Sequence, residues 1–248
     1  MPPSVALCLT GSIRTLEQPC TLRTTLSNVV KPLRANLFLS VNVGDNATRE
    51  RTRMFVHSLD YPITYSDVYV DGSQPASPLK CTDGLGWPQT EGLVRCMRAV
   101  DAHRRRYDYV IRVRTDAHIP FRIASLPAPA PGVAYVGFVG GRCNGDTAWW
   151  ADDKFAILPT QPTQHAYMYG FGTDFCKRPC IGTSCAAPEC KLGWTLATRN
   201  VTPIDLRPFT LPAEAEIVRF SCEATLAMHK PTFWQRLWSP KRVTLKLS

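Results

Sequence analysis

The stretch YDYVIRVRTDAHIPF, residues 107–121, carries the pattern that decides the fold. It begins as a run of apolar and β-branched residues, which is typical of a buried strand. The run ends in three alternating charges, Arg112, Arg114 and Asp116, and His118 follows two residues later. Because charges are costly to bury, these side chains must either neutralise one another or hold a ligand. The stretch therefore predicts a core strand that ends in charged side chains, which either pair with one another or bind a ligand.

Apolar runs bounded by turn residues recur along the first 140 residues and alternate with segments of helical periodicity. We predict strands at 5–9, 35–43, 62–72, 107–116 and 132–140, and helices at 21–30, 47–59 and 90–106. Pro32 is expected to end the first helix. Strands that alternate with helices favour an α/β sandwich with a mainly parallel central sheet, in which ligands bind at the carboxyl ends of the strands.

The composition is that of a globular protein, with 44% hydrophobic and 20% charged residues in a chain of 248. No linker, low-complexity tract or internal repeat divides the chain, so we expect a single domain over residues 1–248. The net charge of +9 favours anionic partners such as phosphates. Because no zinc-finger, RRM or helix-turn-helix pattern accompanies this charge, we expect no nucleic-acid partner.

The turn LTGSIR, residues 9–14, follows the first predicted strand. Thr10, Gly11 and Ser12 bring backbone N–H groups to the strand end, and Arg14 adds a guanidinium. This combination suits a pyrophosphate or a nucleotide base. The turn has neither the glycine spacing of a dinucleotide-binding fingerprint nor the lysine of a P-loop. An ordinary βα turn with a surface arginine is the alternative interpretation.

Asp116 and His118 stand two residues apart just beyond the fourth predicted strand. In an extended segment such residues point the same way, so a carboxylate oxygen and an imidazole nitrogen could share one divalent cation. That cation would bridge phosphate oxygens of a nucleotide-diphosphate ligand and take up negative charge on the leaving group. A surface pair of Arg114 with Asp116, with His118 merely packed, is the alternative.

Three blocks of sequence together carry a family resemblance: LCLTGSIRTLE with NLFLSV, then YDYVIRVRTDAHIPF, then WADDKFAILPTQPTQHAYMYGF. On these blocks the chain resembles GT-A nucleotide-sugar glycosyltransferases, particularly single-domain enzymes encoded by large algal viruses. The segment SCEATLAMHKP is similar to a late helix of that family. The resemblance implies a GT-A-like, Rossmann-related α/β/α sandwich. Residues 1–120 would form the donor-nucleotide half, and residues 121–248 the acceptor half with a Cys-rich excursion at 173–190.

The resemblance also implies a metal-dependent transfer of a monosaccharide from a nucleotide-diphospho-sugar to a glycan or glycoprotein acceptor. Asp116 and His118 match the Asp-x-Asp motif that binds Mn²⁺ or Mg²⁺ in that family, with histidine in place of the second aspartate. His229 is a candidate third ligand. The donor's nucleotide and diphosphate would be bound by residues of the first two blocks: Thr10, Gly11, Ser12, Arg14, Arg112, Arg114 and Asp116.

An inverting transferase needs a general base for the acceptor hydroxyl. Asp152, Asp153 and Glu223 are the carboxylates in the matching blocks, and Asp153 is favoured because it precedes the apolar run KFAIL. Trp149, Trp150, Tyr167 and Tyr169 are candidates for stacking on sugar rings. Two other functions are left open: a nucleotidyltransferase acting on sugar phosphates, and an inactive nucleotide- or carbohydrate-binding protein.

The sequence contains only indirect indications of the protein's cellular compartment. No signal peptide and no spanning apolar stretch are evident, so we expect a cytoplasmic protein, in the host cytoplasm if it is viral, with the secretory lumen left open. The basic, aromatic C-terminus at 230–248 suggests peripheral membrane contact. Ten cysteines, four of them at 176–190, leave free thiols, one or two disulfides, or zinc as alternatives.

Overall fold

The structure is a computed structural model, which describes residues 2–13, 16, 19–70, 87–123, 125–143, 149–174 and 187–206. The strands are β1 (Val5–Ser12), β2 (Asn36–Val43), β3 (Ile63–Val70), β4 (Tyr109–Arg114), β5 (Val133–Val136), β6 (Val139–Arg142), β7 (Trp149–Ala151), β8 (Phe155–Leu158) and β9 (Thr202–Asp205). The helices are α1 (Pro19–Thr25), α2 (Lys31–Leu33), α3 (Asn46–His57), α4 (Trp87–Ala102), α5 (Gln161–His165), α6 (Phe171–Asp174) and α7 (Pro188–Thr198). Two π-helical turns, Leu26–Val30 and Ala166–Gly170, join α1 to α2 and α5 to α6.

Within the described residues, seven strands form one sheet in the order β3-β2-β1-β4-β8-β5-β9, and β6 pairs with β7 separately. Strand β8 runs antiparallel to both of its neighbours, and every other pairing in the large sheet is parallel. Helices flank this mostly parallel sheet, which confirms the predicted α/β architecture and is compatible with a Rossmann-like fold.

The central strands are apolar on both faces because helices cover both sides. Leu7, Leu9, Ile111 and Val113 face a cluster that includes residues of α1 and the first π-helical turn. The opposite face packs against α4, the second π-helical turn and α7. Strand β1 extends to Ser12, three residues beyond the prediction, because its polar end continues to pair with β2.

Local differences from the prediction arise where packing overrides propensity. The first helix continues through Pro32, which lies in the short helix α2 directly after a π-helical turn. The predicted fifth strand is two strands, β5 and β6, in different sheets. Helix α4 begins at Trp87, three residues before the predicted start. Residues 71–86, most of the Cys-rich excursion and the C-terminal tail lie outside the described residues. No helix in the described ranges is long and apolar enough to cross a membrane.

Two disulfides between described residues join distant parts of the chain. Cys8 on β1 bonds to Cys96 on α4, and Cys143, just after β6, bonds to Cys190 in α7. All four residues are buried. For these four residues the structure therefore supports the disulfide alternative over free thiols or zinc, whereas Cys176, Cys180 and Cys185 lie outside the described ranges.

Removing the Cys8–Cys96 bond should destabilise the fold. The bond closes a loop with a sequence separation of 88, so the double variant C8A/C96A should lose about 2–4 kcal/mol of unfolding free energy. Urea unfolding of the oxidised wild type and of the variant measures this difference. Reducing agent should lower the urea midpoint of the wild type, and equal midpoints for wild type and variant would argue against the bond.

Candidate functional site

The chain adds β2 and β3 on one side of β1 and then places β4 on the other side, so the strand order reverses between β1 and β4. The elements that follow β1 pack on one face of the sheet, whereas α4, which precedes β4, packs on the other. In open α/β sheets, ligands bind in the crevice at the carboxyl ends of the two strands at such a reversal. Here those ends are Thr10–Ser12 and Arg114–Asp116, so the two motifs singled out in the sequence meet at one edge.

Gly11 brings the two strand ends into direct contact. The Thr115 hydroxyl donates to the Ser12 carbonyl over 2.6 Å, and the Thr115 N–H donates to the Thr10 carbonyl over 3.1 Å. Gly11 has φ of +140°, and a Cβ there would lie 2.7 Å from the Thr115 hydroxyl oxygen. Only glycine combines this backbone angle with this close approach.

Arg114 holds two carboxylates at once. Its Nε and Nη2 donate to the two oxygens of Asp116 at 2.8 and 2.7 Å. Its Nη1 donates to both oxygens of Asp153, at 3.2 and 3.0 Å. Burial alone would lower the pKa of Arg114, but the charges and hydrogen bonds of Asp153 and Asp116 outweigh burial and raise it. The guanidinium therefore stays charged and fixed in place.

Asp116 lies in a turn, where the Ala117 N–H donates to the Arg114 carbonyl. The extended backbone assumed for Asp116 and His118 is therefore absent, because the chain bends as it leaves β4. Asp116 directs its carboxylate at Arg114, and His118 is buried. No group of three or more His, Cys, Asp or Glu side chains that could hold a metal ion occurs in the described parts of the chain. The metal site stays a prediction.

The antiparallel direction of β8 brings Asp153 and one further carboxylate, Asp152, to the same edge. Because β8 runs against β4, the residues that precede it lie beside the end of β4, and the Arg114 N–H donates to the Lys154 carbonyl. Asp153 is 1% exposed. Asp152 is also buried and accepts from the Lys154 ammonium at 2.6 Å. Burial raises the pKa of Asp152, and Lys154 offsets part of that shift.

Glu189 is the carboxylate at this edge that the sequence reasoning missed. It lies in the first turn of α7 and is half-buried. Burial, followed by the charge of Asp153, raises its pKa above the usual range. The Cys143–Cys190 bond fixes this turn, and Gly193 lets α7 lie directly on β7, since a Cβ there would overlap the Trp149 carbonyl oxygen. The only signal in the sequence was the Pro-Glu pair at a helix start.

Arg112 lies deeper on the same face of β4 and is fully buried. None of its three side-chain nitrogens has a hydrogen-bond partner among the described residues, and the hydroxyl of the buried Tyr167 also lacks one. Burial lowers the pKa of Arg112, although Tyr167 and Asp153 counteract this. Tyr167 therefore has no face open to a sugar ring, whereas Trp149 is 46% exposed beside Arg142.

The structure describes most of the predicted site residues and leaves three of them undescribed. Thr10, Gly11, Ser12, Arg112, Arg114, Asp116, Asp152 and Asp153 lie at or just below the one edge, as the structure shows. Arg14, Glu223 and His229 lie outside the described residues. Their roles, like those of the first group, stay predictions.

Comparison with known proteins adds no assignment: the chain matches no protein-family model, and no curated protein sequence matches it.

Replacing Gly11 with alanine should disturb the edge. The variant G11A places a Cβ against Thr115 at an unfavourable backbone angle, so it should lose about 1–3 kcal/mol of unfolding free energy. Gly44→Ala is the matched control, since nothing lies within 4 Å of a Cβ there. Denaturant unfolding of both variants measures the contrast, and equal losses would contradict it.

Glu189 should make stability depend on pH. A carboxyl with a raised pKa in the folded state stabilises the fold while protonated, and this contribution is lost as the pH rises through the folded pKa. Glu189→Gln should therefore raise the unfolding temperature at pH 7.5 and leave it nearly unchanged at pH 4. Thermal unfolding across this range, with Glu50→Gln on exposed α3 as control, tests the sign.

Proposed function

We propose that this chain is a GT-A-like glycosyltransferase that moves a monosaccharide from a nucleotide-diphospho-sugar to a glycan or glycoprotein acceptor. The observation that carries the proposal is the edge formed by the carboxyl ends of β1 and β4, where a glycine turn adjoins a strand end carrying one arginine held by carboxylates. Backbone N–H groups and a guanidinium suit a diphosphate, and carboxylates suit an acceptor hydroxyl. The resemblance of the three sequence blocks supports the same conclusion.

In the transfer step, the acceptor hydroxyl oxygen attacks the anomeric carbon of the donor sugar. The bond from that carbon to the diphosphate oxygen breaks, the electron pair leaves with the nucleoside diphosphate, and the hydroxyl proton passes to a carboxylate base. Cations at the edge would stabilise the charge that develops on the leaving diphosphate. Arg114 is the described cation best placed for this role.

Among the described carboxylates, Glu189 has the features expected of the base. It is half-buried, its pKa is raised, and no described arginine or lysine forms an ion pair with it. Asp153 and Asp152, the bases favoured from sequence, are almost fully buried and are held by Arg114 and Lys154. Glu223 keeps its predicted role outside the described residues.

A divalent ion does not fit Asp116 as the side chain now lies, because both of its oxygens accept from Arg114. The transfer step described above therefore uses only the protein's own cations. Dependence on Mn²⁺ or Mg²⁺ remains part of the proposal to be tested, with Asp116, His118 and His229 as the candidate ligands.

The two described disulfides are the basis for proposing a cellular compartment. Bonds of this kind persist in oxidising compartments, so they favour the secretory lumen over the cytoplasm that the sequence predicted. Membrane contact through residues 230–248 stays a prediction.

Turnover of nucleotide sugars tests the function. The wild type, incubated with a panel of uridine and guanosine diphosphate sugars and Mn²⁺, should release nucleoside diphosphate, and Asp116→Asn should reduce the rate at least 100-fold. Asp60→Ala, an exposed site away from the edge, should retain the rate. Chromatography of the nucleotide products measures release, and parallel reactions in chelator test the metal.

Absence of release across the panel, with a folded wild type, would count against a transferase. Binding of the nucleotide without release would favour the inactive binding protein. Incorporation of a nucleotide into a sugar phosphate would favour the nucleotidyltransferase.

A further inference from the structure

Two short motifs in the sequence have no part in the proposed transferase. Residues 46–48 and 200–202 read Asn-Ala-Thr and Asn-Val-Thr, and Asn-x-Thr is the acceptor motif for N-linked oligosaccharides. The motif has a consequence only in a chain that enters the secretory pathway. The two buried disulfides between described residues favour that pathway, since such bonds persist where conditions are oxidising.

The backbone of Asn200 is fixed by the end of α7. The Asn200 N–H donates to the Ala197 carbonyl over 3.2 Å, and the Val201 N–H donates to the Leu196 carbonyl over 2.9 Å. These two bonds form a Schellman motif, in which the residue after the helix cap is left-handed, and Asn200 has φ of +56°. Because glycine is the usual residue there, the helix end requires neither asparagine nor the Thr202 that follows.

The two residues that a glycosylating enzyme recognises lie on the surface. Asn200 is exposed, and no hydrogen bond between described residues uses its side-chain amide. Thr202 is exposed as well. Val201 between them is 5% exposed and belongs to the same core cluster as Leu196. The middle residue therefore anchors the segment, while the acceptor amide and the recognised hydroxyl stay accessible.

The topology places Asn200 at the edge of the sheet opposite the candidate site. Thr202 pairs with Val133 where β9 and β5 both begin. Because β5 and β4 each run antiparallel to β8, they are parallel to one another, and so is β9. Asn200 thus lies at the amino edge, whereas Arg114 ends β4 at the carboxyl edge. An oligosaccharide on Asn200 would leave the carboxyl edge open.

Asn46 has a different setting. Thr48 of its motif donates to Asp45, the N-cap of α3, from its N–H at 2.7 Å and from its hydroxyl at 3.0 Å. The recognised hydroxyl is therefore already used to cap a helix. Asn46 also follows the carboxyl end of β2, so an oligosaccharide there would lie at the same edge as the candidate site. Asn200 is the better acceptor on both counts.

We propose that Asn200 is an N-glycosylation site, which accepts an oligosaccharide from a lipid-linked diphosphate donor in the secretory lumen. The Asn200 amide nitrogen forms a bond to the anomeric carbon of the first sugar. The bond from that carbon to the diphosphate oxygen breaks, its electron pair leaves with the lipid diphosphate, and an amide proton passes to the cell's transferring enzyme. The site depends on the compartment proposed above and is independent of any transferase activity of the chain itself.

Site-specific mass spectrometry of the full chain tests the site. The chain is secreted from cultured eukaryotic cells behind an added leader, and its N-linked glycans are removed with an amidase in isotopically labelled water, which converts each occupied asparagine to a labelled aspartate. Most copies of the Asn200 peptide should carry the label. Thr202→Ala should abolish it. Thr198→Ala, which changes an exposed threonine of α7 outside the motif, is the matched control and should retain it.

Asn200→Gly keeps the left-handed backbone and should lose the label without impairing secretion. Alkylation of free thiols in the same samples reports the Cys8–Cys96 and Cys143–Cys190 bonds. A bare Asn200 in oxidised protein, or a glycan on Asn46 alone, would overturn the site and leave the compartment standing. A labelled Asn200 with reduced cysteines would support the site and count against the disulfides as evidence of compartment. A bare Asn200 with reduced cysteines would reject both.

Discussion

The carboxyl end of β4 is organised by the need to neutralise buried guanidinium charge. Arg112 and Arg114 follow the apolar run of a strand that is covered on both faces, so their charges lie between a sheet and its helices. Carboxylates reach Arg114 there from opposite directions along the sheet, whereas Arg112 has no hydrogen-bond partner among the described residues. Asp116 comes from the turn after β4, and Asp153 comes from the residues just before β8. The reversed direction of β8 is what makes the second contribution available.

This constraint links the fold to its chemistry. A parallel strand in the position of β8 would place its first residues at the opposite edge, far from Arg114. Because β8 is reversed, the end of β4 lies beside Asp152, Asp153 and Lys154. Helix α7 adds Glu189 to this group. The polar cluster therefore brings together residues that are far apart in sequence.

The sequence predicted the first half of the fold well because its signals are local. Strands β1, β2 and β4 are largely apolar runs, β3 alternates, and the crossover rule brings their carboxyl ends to one edge. The same rule placed Thr10–Ser12 beside Arg114–Asp116. The direction of β8 could not be predicted, because a four-residue apolar run such as FAIL has no feature that distinguishes parallel from antiparallel pairing.

Side-chain partners were harder to predict than positions. The alternation of Arg114, Asp116 and His118 suggested a continuing strand, yet the hydrogen bonds of Arg114 to Asp116 accompany a turn. Glu189 escaped notice because its place depends on a disulfide and on the close contact of Gly193 with β7. Cys8, the residue paired with Arg112 across β1 and β4, is bonded to α4. That covalent clamp prevents helix and strand from sliding past each other. A rearrangement around Arg112 can therefore involve side-chain rotamers without a displacement of α4 along β1.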